Sequence, residues 1–143
     1  MNLLNKNIID FISKNKVVTI CFNDEFNNPY CINCFYCFIE ESVILIFKSS
    51  YGTSHDAYIK SNSQLAGTII SEQIDLTKLK GIQFTGKLLD ESDINNKKLN
   101  FYYLKAFPLS IAMPGYLWGI QLEYVKFTDN TLGFGNKRIW KIE

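Results

Sequence analysis

Seven short apolar runs, each bounded by turn-forming residues, constrain the fold of this chain more than any other feature of its sequence. Their lengths and their β-branched and aromatic content are typical of strands. Short turn segments, NDEFNNP (23–29) and EES (40–42), join the first three runs into a meander. The runs are KVVTICF (16–22), YCINCFYCFI (30–39), VILIFK (43–48), QLAGTII (64–70), GIQFTGKLL (81–89), LWGIQLEYVKF (117–127) and RIWKI (138–142).

Helical patterns occupy only the margins of these runs. Apolar residues recur at helical spacing over residues 3–13, a short helix is expected at 54–61, and Ser92 is a candidate cap for a helix that continues to Pro108. Strands and helices do not alternate regularly, which argues against a doubly wound parallel sheet. The order predicts a mainly β (α+β) fold, an antiparallel barrel of six to seven strands with peripheral helices. Glycines in the fifth run, Gly81 and Gly86, mark places where that strand can bend.

The charge balance excludes some classes of partner. Fifteen basic and 14 acidic residues give a net charge of +1, too little to attract nucleic acid over a distance. No segment approaches the roughly 20 apolar residues that cross a bilayer, and Lys6 and Asp10 interrupt any signal-peptide core. We therefore expect a cytoplasmic protein with no membrane and no nucleic-acid partner.

Four cysteines, at positions 21, 31, 34 and 37, lie on the first two predicted strands. The C-x2-C-x2-C spacing resembles part of an iron–sulfur motif, but side chains alternate faces on a strand, so Cys34 points away from Cys31 and Cys37. If the hairpin is symmetric about Phe26, Cys21 lies opposite Cys31. Three interpretations remain open: structural thiols, a redox-active pair of Cys21 and Cys31, and a metal site.

The loop SYGTSHDAYIK (50–60) follows the third apolar run and holds the only histidine, His55. A helix start presents unpaired N–H groups and a partial positive charge, and the Thr53 and Ser54 hydroxyls and His55 add donors around it. Lys48 adds a charge at the end of the strand. The order of strand, hydroxyl-rich loop and helix therefore predicts an anion site, whereas the structural alternative is an exposed first helical turn.

Several segments of the sequence resemble a known family. VILIFK, the loop KSSYGTSH, the helix after it, LAGTI and GIQFTG are similar to the FMN-binding split β-barrel of the pyridoxamine 5′-phosphate oxidase superfamily. The tail VKFTDNTLGFGNKRIW is very similar to that of a small bacterial branch of YhbP-like proteins, and KVVTICF and NCFYCF also match that branch. The resemblance covers nearly the whole chain.

The resemblance implies a single split-barrel domain over residues 1–143. Its parts are an N-terminal helix (1–14), barrel strands with a phosphate loop (16–89), a helix (92–107) and C-terminal strands (116–142). Such barrels are usually homodimers that hold two FMN molecules at the subunit interface and act as oxidoreductases on small molecules.

The resemblance also implies a set of cofactor-binding residues. The phosphate contacts would come from the third strand and the loop after it, the flavin ring contacts from the second and fifth strands, and a further contact from the other subunit. In that order they are Lys48, Ser49, Thr53, Ser54 and His55; then Asn33, Cys34, Phe35 and Gln83; then Phe127 and Thr128.

One departure from the family pattern leaves other functions open. Ser54 stands where relatives carry Arg or Lys, so a bidentate arginine clamp on the phosphate is missing. This favours weak FMN binding, or a non-enzymatic dimer that binds a flavin or another phosphate ligand. A haem-binding split barrel is a third hypothesis, in which His55 is the available imidazole.

Overall fold

Seven antiparallel strands form one continuous sheet in the part of the chain that the computed structural model describes. That part comprises residues 3–52, 54–72 and 75–143, and the side chains at positions 54 and 55 lie outside it. The elements in chain order are α1 (Lys6–Lys14), β1 (Val17–Asn23), β2 (Pro29–Ile39), β3 (Ile44–Ser50), α2 (Ser54–Ser61), β4 (Gln64–Ile70), β5 (Lys80–Leu88), α3 (Glu91–Asn96), α4 (Leu99–Ala106), β6 (Gly115–Asp129) and β7 (Lys137–Lys141).

The sheet closes into a barrel. Its strand order is β3-β2-β1-β4-β5-β6-β7, and an additional pairing of β3 with β6 joins the first six strands into a ring. Strand β7 extends the sheet beyond that ring by pairing with the second half of β6. The predicted antiparallel barrel with peripheral helices is confirmed.

The uninterrupted apolar run of β3 reflects burial on both of its faces. Leu45 and Phe47 belong to the main core inside the barrel, whereas Ile44 and Ile46 belong to a second cluster outside it. Leu99 and Tyr103 of α4 cover that outer cluster. A strand with two buried faces needs no polar alternation.

Helix α1 contributes its apolar face to the main core. Ile8, Phe11 and Ile12 are buried, and the Phe11 ring lies 5.3 Å from the Phe127 ring. The Tyr36 hydroxyl donates to the Ile12 carbonyl oxygen at 2.5 Å and so fixes the end of the helix against β2. No helix in the described part of the chain is long and apolar enough to span a bilayer.

The region between β5 and β6 differs from the sequence prediction. Asp90, not Ser92, caps the helix there, because its side chain accepts from the Asp93 N–H at 2.8 Å. The predicted single helix is also wrong: Lys98 adopts a left-handed conformation, φ 54°, and separates α3 from α4. This break directs Leu99 onto the outer cluster next to β3.

Candidate functional site

The β1–β2 hairpin positions the first group of predicted residues. Asn33 and Phe35 face outward, and Cys34, between them, packs against the main core. The Thr19 hydroxyl donates to Asn33 Oδ1 at 2.6 Å. Burial raises the pKa of the Cys34 thiol to about 12, so this thiol stays protonated at neutral pH. Of these three residues, Asn33 and Phe35 present their side chains to a ligand outside the barrel, and Cys34 does not.

Asn33 is the first member of a row of polar side chains that crosses the outer face of the sheet. Strand register places Asn33 opposite Thr19, Thr19 opposite Thr68, Thr68 opposite Gln83, and Gln83 opposite Lys126. We call these five residues the polar row. Adjacent strands are about 4.8 Å apart, so Asn33 and Gln83 are separated by roughly 14 Å across the sheet. The sequence identified both ends of this stretch; the register supplies the two threonines between them.

Exposed apolar side chains flank the polar row. Val17 and Phe35 are directly opposite one another on β1 and β2 and are 49% and 59% exposed. Ile70 on β4 and Ile139 on β7 are 64% and 61% exposed. Large apolar groups left in water beside hydrogen-bonding groups are typical of a surface that a ligand or another chain covers.

A groove of 450 Å³ lies where the polar row reaches β5 and β6. Two predicted site residues, Gln83 and Thr128, line it together with three lysines, Lys80, Lys126 and Lys137. Among the described residues no carboxylate lines the groove, although Lys80 Nζ lies 3.8 Å from the buried Asp129 Oδ2. This lysine groove attracts anions. The sequence did not reveal it because the three lysines come from separate segments.

Ser49, near the end of β3, has a different environment from the one expected of a phosphate ligand. Ser49 is buried; its hydroxyl donates to Asp56 Oδ1 and accepts from Trp118 Nε1 at 2.7 Å. Its hydroxyl hydrogen is therefore already donated within the chain. Lys48 Nζ donates to the Ser110 carbonyl oxygen at 3.1 Å and keeps further N–H groups. Thr53 and the side chains of Ser54 and His55 lie outside the described residues, so their anion contacts stay predictions.

Sequence reasoning missed Asp56, the buried partner of Ser49. Asp56 Oδ2 has no hydrogen-bond partner among the described residues. Asp56 also borders a cavity of 790 Å³ between α2, the start of β6 and the β5–α3 connection. Asp90 and Glu91 line this cavity too, and Lys60 is the one lysine or arginine among the described residues of its lining. Its three carboxylates make this cavity unfavourable for a phosphate, and Lys48 is not among its lining residues.

The last two predicted residues, Phe127 and Thr128, lie near the end of β6, whereas β3 and Lys48 pair with its first half. The Phe127 side chain is buried in the main core, whereas Thr128 is half-exposed and faces outward. Lys48 pairs with Leu117, and Thr128 comes about eleven residues later, a distance along the strand of up to about 36 Å. Lys48 therefore lies beside the start of β6 and Thr128 lies near its end.

The described residues contain no group of three or more His, Cys, Asp or Glu side chains arranged to hold a metal ion. The four cysteines are free thiols. Cys21 and Cys31 lie directly opposite each other, as the symmetric hairpin predicts.

Curated relatives cover nearly the whole chain, although no profile of a known protein family matches it. UPF0306 protein plu4501 of Photorhabdus laumondii is 34% identical over 131 residues, which are 92% of this chain and 91% of the relative. UPF0306 protein YhbP of Salmonella schwarzengrund is 35% identical over 134 residues, which are 91% of this chain and 88% of the relative.

Solved structures with low sequence identity share the fold. A haem-binding protein from Mycobacterium smegmatis has a TM-score of 0.75 at 12% identity, covering 92% of this chain and 55% of that one. An FAD-binding protein from Mesorhizobium loti has a TM-score of 0.64 at 14% identity, covering 89% and 95%. A Clostridium acetobutylicum protein related to general stress protein 26, of the pyridoxinephosphate oxidase family, has a TM-score of 0.65 at 14% identity, covering 95% and 92%.

These structures support the fold alone, and the curated relatives identify the family. The chain shares its split-barrel fold with these haem-binding, FAD-binding and pyridoxinephosphate oxidase family proteins, and it belongs to the UPF0306 family.

Proposed function

We propose that this protein binds FMN on the outer face of its barrel and acts, as a homodimer, as an oxidoreductase on a small molecule. The observation that carries the proposal is the polar row, with exposed Val17, Phe35 and Ile70 beside it. A flavin is a flat group with hydrogen-bonding atoms along its edge and apolar faces. The polar row offers hydrogen bonds over a length similar to that of the ring. The three apolar side chains beside it offer contacts to the faces of the ring.

The residues of the row fit the ring of a flavin. Asn33 and Gln83 each carry an amide that donates and accepts, and Thr68 carries a hydroxyl that does both. Phe35 supplies an aromatic surface for the ring, and Cys34 approaches only through its backbone. Bound FMN would supply the hydride or electron transfer, while these residues would hold and orient it.

The phosphate has two candidate locations. Lys48 and the start of α2, with Thr53, Ser54 and His55, form the location that the sequence predicts. The lysine groove beside Gln83 and Thr128 is the second. Ser49 fits neither, because its hydroxyl hydrogen is donated to Asp56.

A second copy of the chain is needed to enclose the ligand. The outer face of a closed barrel is convex, and small-molecule sites are concave. The separation of Lys48 from Thr128 along β6 also supports a site to which two chains contribute. A two-fold arrangement brings the Phe127–Thr128 end of one subunit towards the Lys48 end of its partner.

Titration with FMN, followed by absorbance and flavin fluorescence, tests the ring contacts. We expect saturable binding, with affinity reduced roughly tenfold by Asn33→Ala or Gln83→Ala, because each change removes a hydrogen bond to the ligand. Lys87→Ala is the matched control, since Lys87 shares the strand and face of Gln83 but lies outside the row. Wild-type protein that binds no FMN at millimolar concentration would refute the proposal, as would unchanged affinity in both row variants.

A comparison of FMN with riboflavin, which lacks the phosphate, distinguishes the two candidate locations of the FMN phosphate. The variant that loses the phosphate contact binds FMN about tenfold more weakly but binds riboflavin as wild type does. We expect this result for Lys48→Ala and not for Lys126→Ala. The opposite result would move the phosphate to the lysine groove.

Co-expression of two differently tagged variants tests the shared site. Lys48→Ala and Thr128→Glu chains, each weak in FMN binding as a homodimer, are expected to form a heterodimer with one intact site. That heterodimer binds one FMN with wild-type affinity. If both residues belonged to a site on one chain, each site of the heterodimer would carry one defect and binding would stay weak.

Turnover distinguishes an oxidoreductase from a non-enzymatic flavin carrier. Loaded protein that reoxidises NADH or NADPH in the presence of an acceptor supports the enzyme. Clear FMN binding with no turnover for any donor supports the carrier.

Haem is the alternative ligand, since a solved structure with the same fold is described as haem-binding. His55 is the only imidazole of the chain. A Soret band that forms on haem addition and is lost in His55→Ala would favour this alternative.

A further inference from the structure

Cys21 and Cys31 form a close thiol pair on the outer face of the β1–β2 hairpin. They are directly opposite in register, and their sulfur atoms are 3.0 Å apart, with the Cys31 thiol donating to the Cys21 sulfur. Both are free thiols. Cys31 is exposed and Cys21 is half-buried, so the pair is accessible to solvent from the Cys31 side.

The hairpin holds these sulfurs close to bonding distance. A disulfide has an S–S length of about 2.05 Å, so the sulfurs need to approach by only about 1 Å. The register is fixed by seven consecutive residue pairs from Val17–Phe35 to Asn23–Pro29. The connecting turn is also fixed, because Asp24 Oδ1 accepts from the N–H groups of Phe26 and Asn28, both at 2.9 Å.

The other two cysteines lack this arrangement and serve as internal controls. Cys34 and Cys37 are partly buried, and burial raises the pKa of each thiol to about 12. Within the part of the chain that the structure describes, neither makes a sulfur–sulfur hydrogen bond of the kind that joins Cys31 to Cys21.

We propose that Cys21 and Cys31 are a redox modification site: a hydroperoxide oxidises the pair to a disulfide, and a dithiol reduces it again. This site lies outside the residues proposed to hold FMN and does not depend on flavin binding.

The chemistry balances in two steps. Cys31 first loses its thiol proton to water, and the thiolate attacks one oxygen of the hydroperoxide; an S–O bond forms, the O–O bond breaks, and the departing oxygen takes up a proton to become an alcohol or water. Cys21 then loses its proton and attacks the Cys31 sulfur; the S–S bond forms, the S–O bond breaks, and hydroxide leaves as water. Two electrons pass from the thiols to the hydroperoxide.

The environments of the two sulfurs assign these roles. Burial, the bond to Cys31 and the charge of Cys31 raise the pKa of Cys21 to about 11, so Cys21 keeps its proton at neutral pH. Cys31 is the sulfur that a dissolved oxidant reaches first. Cys21 is already within 3.0 Å of it and resolves the sulfenic acid before a second oxidant molecule arrives.

Peptide mapping after peroxide treatment tests the proposal. The folded, flavin-free protein is treated with hydrogen peroxide, alkylated to block remaining thiols, and digested. Trypsin alone leaves all four cysteines between Lys16 and Lys48, but additional cleavage after Glu25 separates Cys21 from the other three. We expect a disulfide-linked pair, 17–25 with 26–40, about 2 Da lighter than the two thiol peptides together because two hydrogens leave.

Fragmentation then identifies the partner of Cys21, and dithiothreitol should return both thiols. The linked pair should be lost in Cys31→Ser and retained in the matched variant Cys37→Ser, which alters the same strand. The proposal fails if Cys21 and Cys31 both remain alkylatable after peroxide, if Cys31 stops at sulfinic acid, or if Cys21 bonds to Cys34 or Cys37. Should Cys31→Ser not fold, the wild-type map alone decides between these outcomes.

Discussion

At the scale of single residues, Ser49 illustrates how a hydroxyl in a loop-like sequence acts as part of the core. It joins the indole N–H of Trp118, on β6, to the carboxylate of Asp56, on α2. The three groups are buried and come from three elements. Ser49 therefore links the helix after β3 to the barrel.

Ser49→Ala should reduce the free energy of unfolding by about 2–4 kcal/mol, because it leaves a buried indole N–H and a buried carboxylate oxygen without partners. Urea unfolding measures the loss, and near-ultraviolet circular dichroism should report a changed environment of Trp118. The exposed Ser92→Ala, on α3, is the control, with an expected change within about 0.5 kcal/mol. An equally small effect at Ser49 would show that this link adds little to stability.

Gly67, on β4, is required by close packing. A Cβ there would lie 2.5 Å from the Thr19 carbonyl oxygen and against the Phe84 ring. Gly67→Ala should therefore destabilise the fold by about 1–3 kcal/mol in thermal or urea unfolding. Gly81→Ala, on the neighbouring strand, meets nothing closer than the Ile69 carbonyl oxygen at 3.4 Å and should be nearly neutral. Equal losses at both positions would contradict this packing argument.

At the scale of elements, strands were more predictable than helices. The run 64–70 coincides with β4 because apolar side chains alternate with exposed ones along it. The helix predicted from Ser92 to Pro108 was wrong in its cap and its continuity. Nothing local marks Lys98 as left-handed; the break lets α4 cover the outer face of β3, which is a tertiary contact.

The cap of α3 provides the test at this scale. Asp90→Ala removes the side chain that accepts from the Asp93 N–H and should cost about 1 kcal/mol. Ser92→Ala should cost much less, although both residues lie in the same turn. Comparing the unfolding midpoints of the two variants checks this order, and a larger loss at Ser92 would restore the original prediction of its role.

The candidate site was predictable only in part for a similar reason. The resemblance identified Asn33 and Gln83, but Thr19 and Thr68 join them only through the three pairings that link four strands. The burial of Ser49 depends on Asp56 and Trp118. Trp118 is distant in sequence, and Asp56 belongs to no recognisable motif. Patterns in a sequence report local periodicity, whereas these contacts depend on which strands become neighbours.

At the scale of the whole molecule, buried thiol and phenol groups make stability sensitive to alkali. Burial raises the pKa of the Cys34 and Cys37 thiols from 9.0 to about 12, and burial with the charges of those thiols raises that of Tyr103 to about 12. The folded state thus keeps these protons at pH values where the unfolded chain releases them. This stabilisation is complete below about pH 9 and is lost as the pH rises towards 12.

Urea unfolding across this range should show a falling free energy of unfolding. Cys34→Ala removes one contributing group and should make the decline less steep, whereas Ser92→Ala should reproduce the wild-type slope. A Cys34→Ala protein with an unchanged slope would show that this thiol does not contribute to the alkaline sensitivity.

The pairing of β6 with β3, β5 and β7 has a consequence for synthesis in the cell. The barrel cannot close until β6, which begins only at Gly115, has left the ribosome. Until then one edge of β3, which includes the apolar segment Ile44–Phe47, is unpaired in the nascent chain. An exposed apolar strand edge promotes aggregation. Translation speed over the codons of β6, and chaperones that shield that edge, should therefore govern the yield of folded protein.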